Sequence, residues 1–469
     1  MVEKKNSLAK NTLLLSIGTF LTKGLSFIMV PLFSRWLSTS DYGLFDLLCT
    51  YVSLLIPLIG LASNEAIFRF AVDKENNNDK AVYITNGFVI FFTNSLIAFI
   101  ILLLVRIFFK WELALYFYIL LLGEVFNIYL RGFLRGIKKL SIFATSNVIT
   151  TICTALGTTL LVKCCDMGLK GIILGYAVGY IIGDIIIVAI SGYKEYFKIY
   201  LVSISVIKEM IGYSYALIPN NLAWWIINVS DRTIIKIILG TAANGVYAIA
   251  YKIPNICSAI FSTFGVSWQQ AATETLNDSE RNTYYNSVYN KVIVILVSIS
   301  CAILSVNGWL FRYVFDSTKY IDAHLYAPIL VTGTIFSSLS LFYGGIQISY
   351  KLPKENGITT VVGAVVNVVV HLILVNIIGL YAAGFSTLMS QVVVCMLRRV
   401  KLKDKMTLSF EKRTIVMMII YCYFFACSYY IYNDIFNGFN FVIAVIIFIV
   451  VNIDYIKKVV AKINIKRKK

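Results

Sequence analysis

The chain has 469 residues, of which 59% are hydrophobic and only 14% charged, with a formal net charge of +18. Soluble domains carry about 25% charged residues. The composition therefore excludes an ordinary soluble globular protein and indicates a polytopic membrane protein, whose length goes into spans.

The first long apolar stretch, near 11–33, follows Lys4, Lys5 and Lys10. It is too long for the core of a signal peptide and no small-residue cleavage site follows, so it reads as a retained span. A spanning helix takes roughly 20 mostly apolar residues. On that measure fourteen are expected, near 11–33, 42–65, 82–107, 112–134, 141–163, 169–191, 212–237, 242–266, 289–313, 325–349, 357–376, 380–397, 414–433 and 438–456. The fold class is thus an all-α polytopic membrane protein. The connecting loops are short, and none is long enough to hold a soluble catalytic domain.

Lys and Arg set the orientation, because basic loops stay in the cytoplasm. With both termini inside, 31 of the 42 Lys and Arg fall in inner segments and eight in outer ones. Lys23, Arg232 and Lys252 remain within spans. The positive balance is therefore topological, with a secondary attraction to anionic lipid headgroups. Basic residues spread over every inner loop are not a nucleic-acid surface, and no nucleic-acid partner is expected. The expected location is the bacterial cytoplasmic membrane.

The chain repeats itself. "LSTSDYGLF" (37–45) aligns with "LGTAANGVY" (239–247) at an offset of 202, each at the outer turn between a first and a second span. Six spans, an even number, separate the copies, so both halves have the same orientation, as in the parallel repeats of some transporters. The expected organisation is a six-helix lobe over 1–200, a second over 201–405, and an extra helix pair with a basic cytoplasmic tail over 406–469.

The polar residues inside spans are the candidate functional groups. In span 7, Asn221, Trp225, Asn228 and Arg232 are spaced 4, 3 and 4 and share one helical face; Asn220, Trp224 and Asp231 lie on the adjacent stripe. In span 1, Thr12, Ser16, Thr19, Lys23 and Ser26 follow the same spacing. The repeat offset sends Thr19, Lys23 and Ser26 onto Asn221, Trp225 and Asn228. An ionised group at the bilayer centre costs at least about 2.5–3.5 kcal/mol, so these stripes face protein or water. Two readings of Asp231 and Arg232 stand side by side: they line a central aqueous cavity, or they form an internal ion pair that locks span 7 to a neighbour. Lys236, near the outer end, snorkels.

Lys23 and Lys252 are candidate substrate-binding cations. Tyr251 joins them, as one of four aromatic residues (with Trp224, Trp225 and Tyr247) that either pack or, on the family resemblance given below, stack on a sugar ring. Glu124 and Asp184 are candidate ion-coupling carboxylates, with Asp231. Glu65 and Arg69 form an i, i+4 pair suited to a structural bridge or gate. Gly171, Gly175, Gly179 and Gly183 recur every four residues, a signal for close helix packing.

Several chemistries lack their motifs. There is no G-x-x-x-x-G-K-[ST] loop, no H-E-x-x-H, no G-x-S-x-G and no Asp-x-Asp pair. The nine cysteines form no C-x-x-C, and His324 and His371 are the only histidines, so no metal site or cofactor is expected. The remaining drive is an ion gradient or the membrane potential, worth about 2.3 kcal/mol per charge across 100 mV.

Two stretches resemble a known family. "KNTLLLSIGTFLTKGLSFIMVPLFSRWLSTSDYGLFDLL" looks like the start of bacterial polysaccharide biosynthesis flippases, and "DRTIIKIILGTAANGVYAIAYKI" like their second-half signature. These belong to the oligosaccharidyl-lipid branch of the multidrug/oligosaccharidyl-lipid/polysaccharide superfamily. The resemblance implies two six-span lobes that rock about a central, cationic cavity. It implies translocation, without covalent chemistry, of an undecaprenyl-diphosphate-linked oligosaccharide repeat unit from inner to outer leaflet. Lys23, Arg232 and Lys252 match the expected cations, and a proton or sodium ion the coupling ion. The implied partners are the lipid-linked oligosaccharide, membrane lipids and the polysaccharide polymerase machinery. Two related activities stay open: drug or organic-cation export against an ion gradient, and flipping of a peptidoglycan precursor.

Overall fold

The computed structural model describes residues 18, 21–72, 74–215, 218–350 and 352–467, without the side chains of 140, 219–220, 223–224, 227–228, 259–260, 262–263, 266, 353 and 454–467. Among the described residues there are helices and turns and no strand. The first helix, α1, is described over 21–36. Thr12, Ser16 and Thr19 lie outside the described residues.

Two compact units divide the chain, Met1–Thr233 and Ile234–Lys469. The first contains α2 (Thr39–Ile59), α3 (Ser63–Ala71), α4 (Asn77–Phe109), α5 (Ala114–Gly136), α6 (Leu140–Thr158), α7 (Gly168–Ser191), α8 (Ile204–Tyr215) and most of α9 (Ile218–Ile238). The second contains α10 (Thr241–Glu274), α11 (Arg281–Ser305), the short α12 (Asn307–Trp309) and α13 (Ser317–Tyr320), α14 (Ala323–Ser349), α15 (Pro353–Ile378), α16 (Tyr381–Lys401), α17 (Lys412–Cys427) and α18 (Asp434–Arg467). Among the described residues nine helices are long and apolar enough to cross a membrane. The chain is a multi-pass membrane protein. Of the fourteen expected spans, those carried by α1, α9, α10, α16 and α17 are not among the nine; α17 is only 16 residues long.

Local chemistry explains the boundaries. Ser38 caps α2: its hydroxyl oxygen accepts from the Asp41 N–H at 3.0 Å and its O–H donates to the Asp41 carboxylate at 2.8 Å. Asn76 caps α4 through the Asn78 N–H at 3.1 Å. At the matching point of the second repeat, Gly240 precedes α10 with φ 91° and ψ 173°, a conformation that needs glycine, and it supplies no side-chain cap.

In the first unit α5 packs against α3, α4 and α7, and α7 against α6. The α6–α7 seam is where the four-residue glycine repeat lies. A Cβ built on Gly175 would strike the Thr158 backbone, one on Gly179 the Thr154 backbone, and one on Gly183 the Thr150 hydroxyl. Without side chains here the two backbones come together, and association rests on van der Waals contact rather than on a hydrophobic drive that lipid removes. In the second unit α14 packs on α10 and α16, α15 on α16, and α17 and α18 on α11.

One device occurs once in each unit. Asn86 of α4 donates to its own i−4 carbonyl, Val82 (2.7 Å), and to Leu201 O (2.9 Å), and accepts from the Ser203 N–H at 2.8 Å. Asn290 of α11 donates to its i−4 carbonyl, Asn286 (2.9 Å), and to Ser409 O (2.9 Å), and accepts from the Glu411 N–H at 2.9 Å and the Thr414 hydroxyl at 2.6 Å. In both, a buried carboxamide on the third long helix of a repeat fastens residues j and j+2 of the strand of chain that precedes the next helix. A buried backbone group away from water must be paired, and the asparagine does this where no helix can.

Candidate functional site

Two rungs join α2 to α9. Arg232 Nε donates to Asp46 Oδ2 at 2.7 Å, with side-chain exposures of 10% and 11%. Two turns back along α9, Trp225 Nε1 donates to the Thr50 carbonyl at 3.0 Å. Thr50 is one turn on from Asp46 and its hydroxyl donates back to the Asp46 carbonyl at 2.9 Å. The 7-residue step on α9 and the 4-residue step on α2 put both contacts on one face of each helix. A buried guanidinium costs several kcal/mol to desolvate, and a carboxylate at hydrogen-bonding distance is what offsets that. Asp231 is also buried.

Sequence spacing singled out Arg232 and Trp225 but missed Asp46 and Thr50. The available signal for Asp46 was its place inside an apolar span, where a carboxylate needs a partner.

The other candidates of this stripe are placed as follows. Asn221 and Lys23 are exposed, and Trp225 is half-buried. The side chain of Asn228 lies outside the described residues. Lys252 and Tyr251 are half-buried on α10 and belong to the second unit, where the Tyr251 ring stands 5.9 Å from that of the fully buried Tyr247.

A second polar cluster lies between α5 and α7. Glu124, Asn127 and Arg131 are spaced 3 and 4 on α5, and Tyr180 and Asp184 are one turn apart on α7. Asn127 Nδ2 donates to Asp184 Oδ1 at 2.6 Å. Asp184 is 2% exposed, and its Oδ2, like the buried Nε of Arg131, has no hydrogen-bond partner among the described residues. The Tyr180 hydroxyl and the Arg131 guanidinium are the polar neighbours of Glu124. Such an arrangement holds a carboxyl by one oxygen and leaves the other to take a proton or a small cation. Asn127 and Arg131 were not expected here: Arg131 reads from sequence as one more basic residue of an inner loop, although the 124, 127, 131 spacing places it on the Glu124 face.

Glu65 has a partner from outside its own helix. Its carboxylate meets Arg135 Nη1 of α5 at 2.8 Å. Arg135 lies 4.1 Å above the Phe68 ring and the packing of α3 on α5 delivers it to Glu65, which also accepts from Asn64 Nδ2 at 3.0 Å.

A polysaccharide biosynthesis protein family model matches residues 8–268. No curated protein matches the chain. Among solved structures, the lipid II flippase MurJ in its inward closed conformation superposes with a TM-score of 0.71 at 15% identity, covering 96% of this chain and 100% of that one. An inward-facing multidrug resistance MATE transporter of the MOP superfamily gives 0.65 at 14% identity, over 83% and 94%. A MOP superfamily transporter from Pyrococcus furiosus, described as having a binding pocket of reverse polarity, gives 0.59 at 15% identity, over 84% and 95%. At these identities the likeness is one of fold, and the fold is that of the MOP transporters. The family model spans more than half of the length: the chain belongs to the polysaccharide biosynthesis protein family.

Proposed function

We propose that the protein is a flippase, without enzymatic activity, for an undecaprenyl-diphosphate-linked oligosaccharide repeat unit. It turns its substrate from the inner to the outer leaflet of the bacterial cytoplasmic membrane for surface polysaccharide assembly. The observation that supports this reading most strongly is the polysaccharide biosynthesis match over residues 8–268, on a fold shared with a lipid II flippase. The lobes are taken as 1–200 and 201–405, with 406–469 as an added pair, both termini cytoplasmic, and the lobes alternate access about a central path.

Arg232 is the central cation of that path, with Lys23 and Lys252 as further ones. Its bond to Asp46 keeps it neutralised when no substrate is present. A diphosphate offers stronger, bidentate acceptors to a guanidinium than one carboxylate oxygen does. Exchange of Asp46 for diphosphate oxygens offsets the cost of drawing the headgroup into the membrane. Asn221, Asn228, Trp225 and Tyr251 contact the sugars. Glu124, Asp184 and Asp231 are the candidates to carry the coupling proton or sodium ion, and the polymerase machinery takes the product.

The test is translocation by purified protein in liposomes, with a labelled diphosphate-linked oligosaccharide in one leaflet. Wild type moves it; Arg232→Ala and Lys252→Ala, compared at equal amounts of reconstituted protein, do not. Unimpaired translocation by both variants refutes the cationic path.

A second reading, export of organic cations against an ion gradient, draws on one observation: Asp184 is buried with an oxygen left unbonded. In that case Glu124 and Asp231, and with them Asp184, are essential, the cations are dispensable, and expression raises resistance to cationic drugs. Flipping of a peptidoglycan precursor is separated from the first reading by supplying that lipid in the same liposome assay.

A further inference from the structure

The loop from α16 to α17 carries a basic cluster that the transport reading does not use. Arg398, Arg399, Lys401, Lys403 and Lys405 stand against a single acid, Asp404, over eight residues. Such a run is ordinarily a loose, solvated tail. Here it is built into the fold. The Lys405 carbonyl accepts from Arg281 Nη2 at 3.4 Å and from the Tyr350 hydroxyl at 3.2 Å. The Asn286 carboxamide accepts from the Ser409 N–H at 2.8 Å, and the Asn290 device holds Ser409 O and the Glu411 N–H. Two helices, α11 and the C-terminal end of α14, thus fix the loop.

Between this tethered loop and the end of α16 lies a cavity of about 200 Å³ lined by Arg399, Lys403, Met406, Thr407 and Leu408. Its charges are both positive. Neither Arg399 nor Lys403 makes an ion pair among the described residues, whereas Lys401 is neutralised by Glu355 at 3.1 Å. Arg399 lies 5.6 Å from the Phe410 ring, which orients its guanidinium. Thr407 adds a hydroxyl, and Met406, 6% exposed, with half-buried Leu408, gives an apolar floor. Behind it, Arg398 is occupied by neutral acceptors only: Ser340 O at 2.7 Å and the hydroxyls of Thr359 (3.2 Å) and Thr360 (2.9 Å). Its charge adds to the positive field without a carboxylate to cancel it.

We propose that this cavity binds the phosphate of an anionic phospholipid headgroup. The chemistry recognised is a phosphate oxygen pair, taken by a guanidinium fork and an ammonium. The volume is below the roughly 300–1,000 Å³ of drug-sized pockets, so it suits a headgroup and not an oligosaccharide. The apolar floor suits the glycerol ester of a lipid better than a free phosphate. The site is distinct from the Arg232 path and does not depend on what the protein transports.

The experiment is thermal unfolding of the full chain in detergent micelles against rising phosphatidylglycerol, with phosphatidylcholine and inorganic pyrophosphate as parallel titrations. Phosphatidylglycerol raises the midpoint and phosphatidylcholine does not. The double variant Arg399→Gln/Lys403→Gln, altered only at exposed side chains, needs about tenfold more lipid for half the shift, given what two basic residues contribute at an anionic surface. Lys319→Gln, which removes a positive charge elsewhere (Lys319 pairs with Asp316 at 3.1 Å), keeps the wild-type response. A shift by pyrophosphate that the double variant loses assigns the site to free phosphate as well as to the lipid. Equal half-saturation in wild type and double variant, or equal shifts by the two lipids, overturns the proposal.

Discussion

Asp46 and Arg232 are 186 positions apart and meet at 2.7 Å, each about nine-tenths withdrawn from solvent. Removing one partner of a buried pair costs about 3–5 kcal/mol, because the survivor loses a compensating charge. Arg232→Ala and Asp46→Ala are each expected to lower the unfolding midpoint in detergent sharply. Asp46→Ala/Arg232→Ala is expected to unfold at a higher temperature than either single variant, yet to translocate nothing. Additive losses in this double-mutant cycle would mean that the two side chains do not stabilise each other.

The α6–α7 seam gives a comparison between two identical substitutions. Gly→Ala in a helix interior normally gains up to about 1 kcal/mol. Gly357 in α15 has nothing within 4 Å of a built Cβ, so Gly357→Ala should be neutral or mildly stabilising. Gly179→Ala places its methyl on the Thr154 backbone and should destabilise by about 1–3 kcal/mol, the usual range for overpacking. Midpoints measured side by side decide the point; equal effects would contradict the close seam.

Glu65 and Arg135 make a partly exposed bridge, with side-chain exposures of 38% and 30%. A pair of that kind is worth about 0.2–1 kcal/mol, and the Phe68 stack adds about 0.5–1 kcal/mol. Arg135→Lys keeps the charge and loses the stack, and should cost about as much as Glu65→Gln. Molar salt should shrink the Glu65→Gln deficit and leave most of the Arg135→Lys deficit. Identical salt responses would show that the ring contributes nothing.

Asp184→Asn retains a carbonyl oxygen for Asn127 Nδ2 and removes the group able to take up a proton or ion. The variant should fold with a midpoint near wild type and reconstitute normally. If Asp184 carries the coupling ion, translocation by the variant loses its response to an imposed gradient while any gradient-independent leak persists. A full gradient response in Asp184→Asn assigns the residue to packing alone.

Periodicity revealed the helices, the glycine seam and the polar face of α9, because each is written in local spacing. Their partners were harder to see. Asp46 lies in "DYGLFDLL" with no charged neighbour at i±3 or i±4 to mark its face, so only the α2–α9 contact gives it meaning. Arg131 and Arg135 sit in a stretch whose charge serves the topology rule, which hides that one faces Glu124 and the other reaches Glu65. Asn86 and Asn290 carry no spacing signal of their own, and their shared role depends on loops more than a hundred residues away. The paired and the cavity-lining readings of Arg232 both stay open in the sequence, because the carboxylate opposite it lies 186 positions away.

Asn86 and Asn290 also bear on the C-terminal pair. The first ties down the residues just before α8, and the second ties down those just before α17, in the same j and j+2 pattern. In that pattern α17 stands to α11 as α8 stands to α4. Cutting the C-terminal pair away together with its leading loop would strip Asn290 of its bonds to Ser409, Glu411 and Thr414 and leave it, among the described residues, the carbonyl of Asn286 one turn back on its own helix.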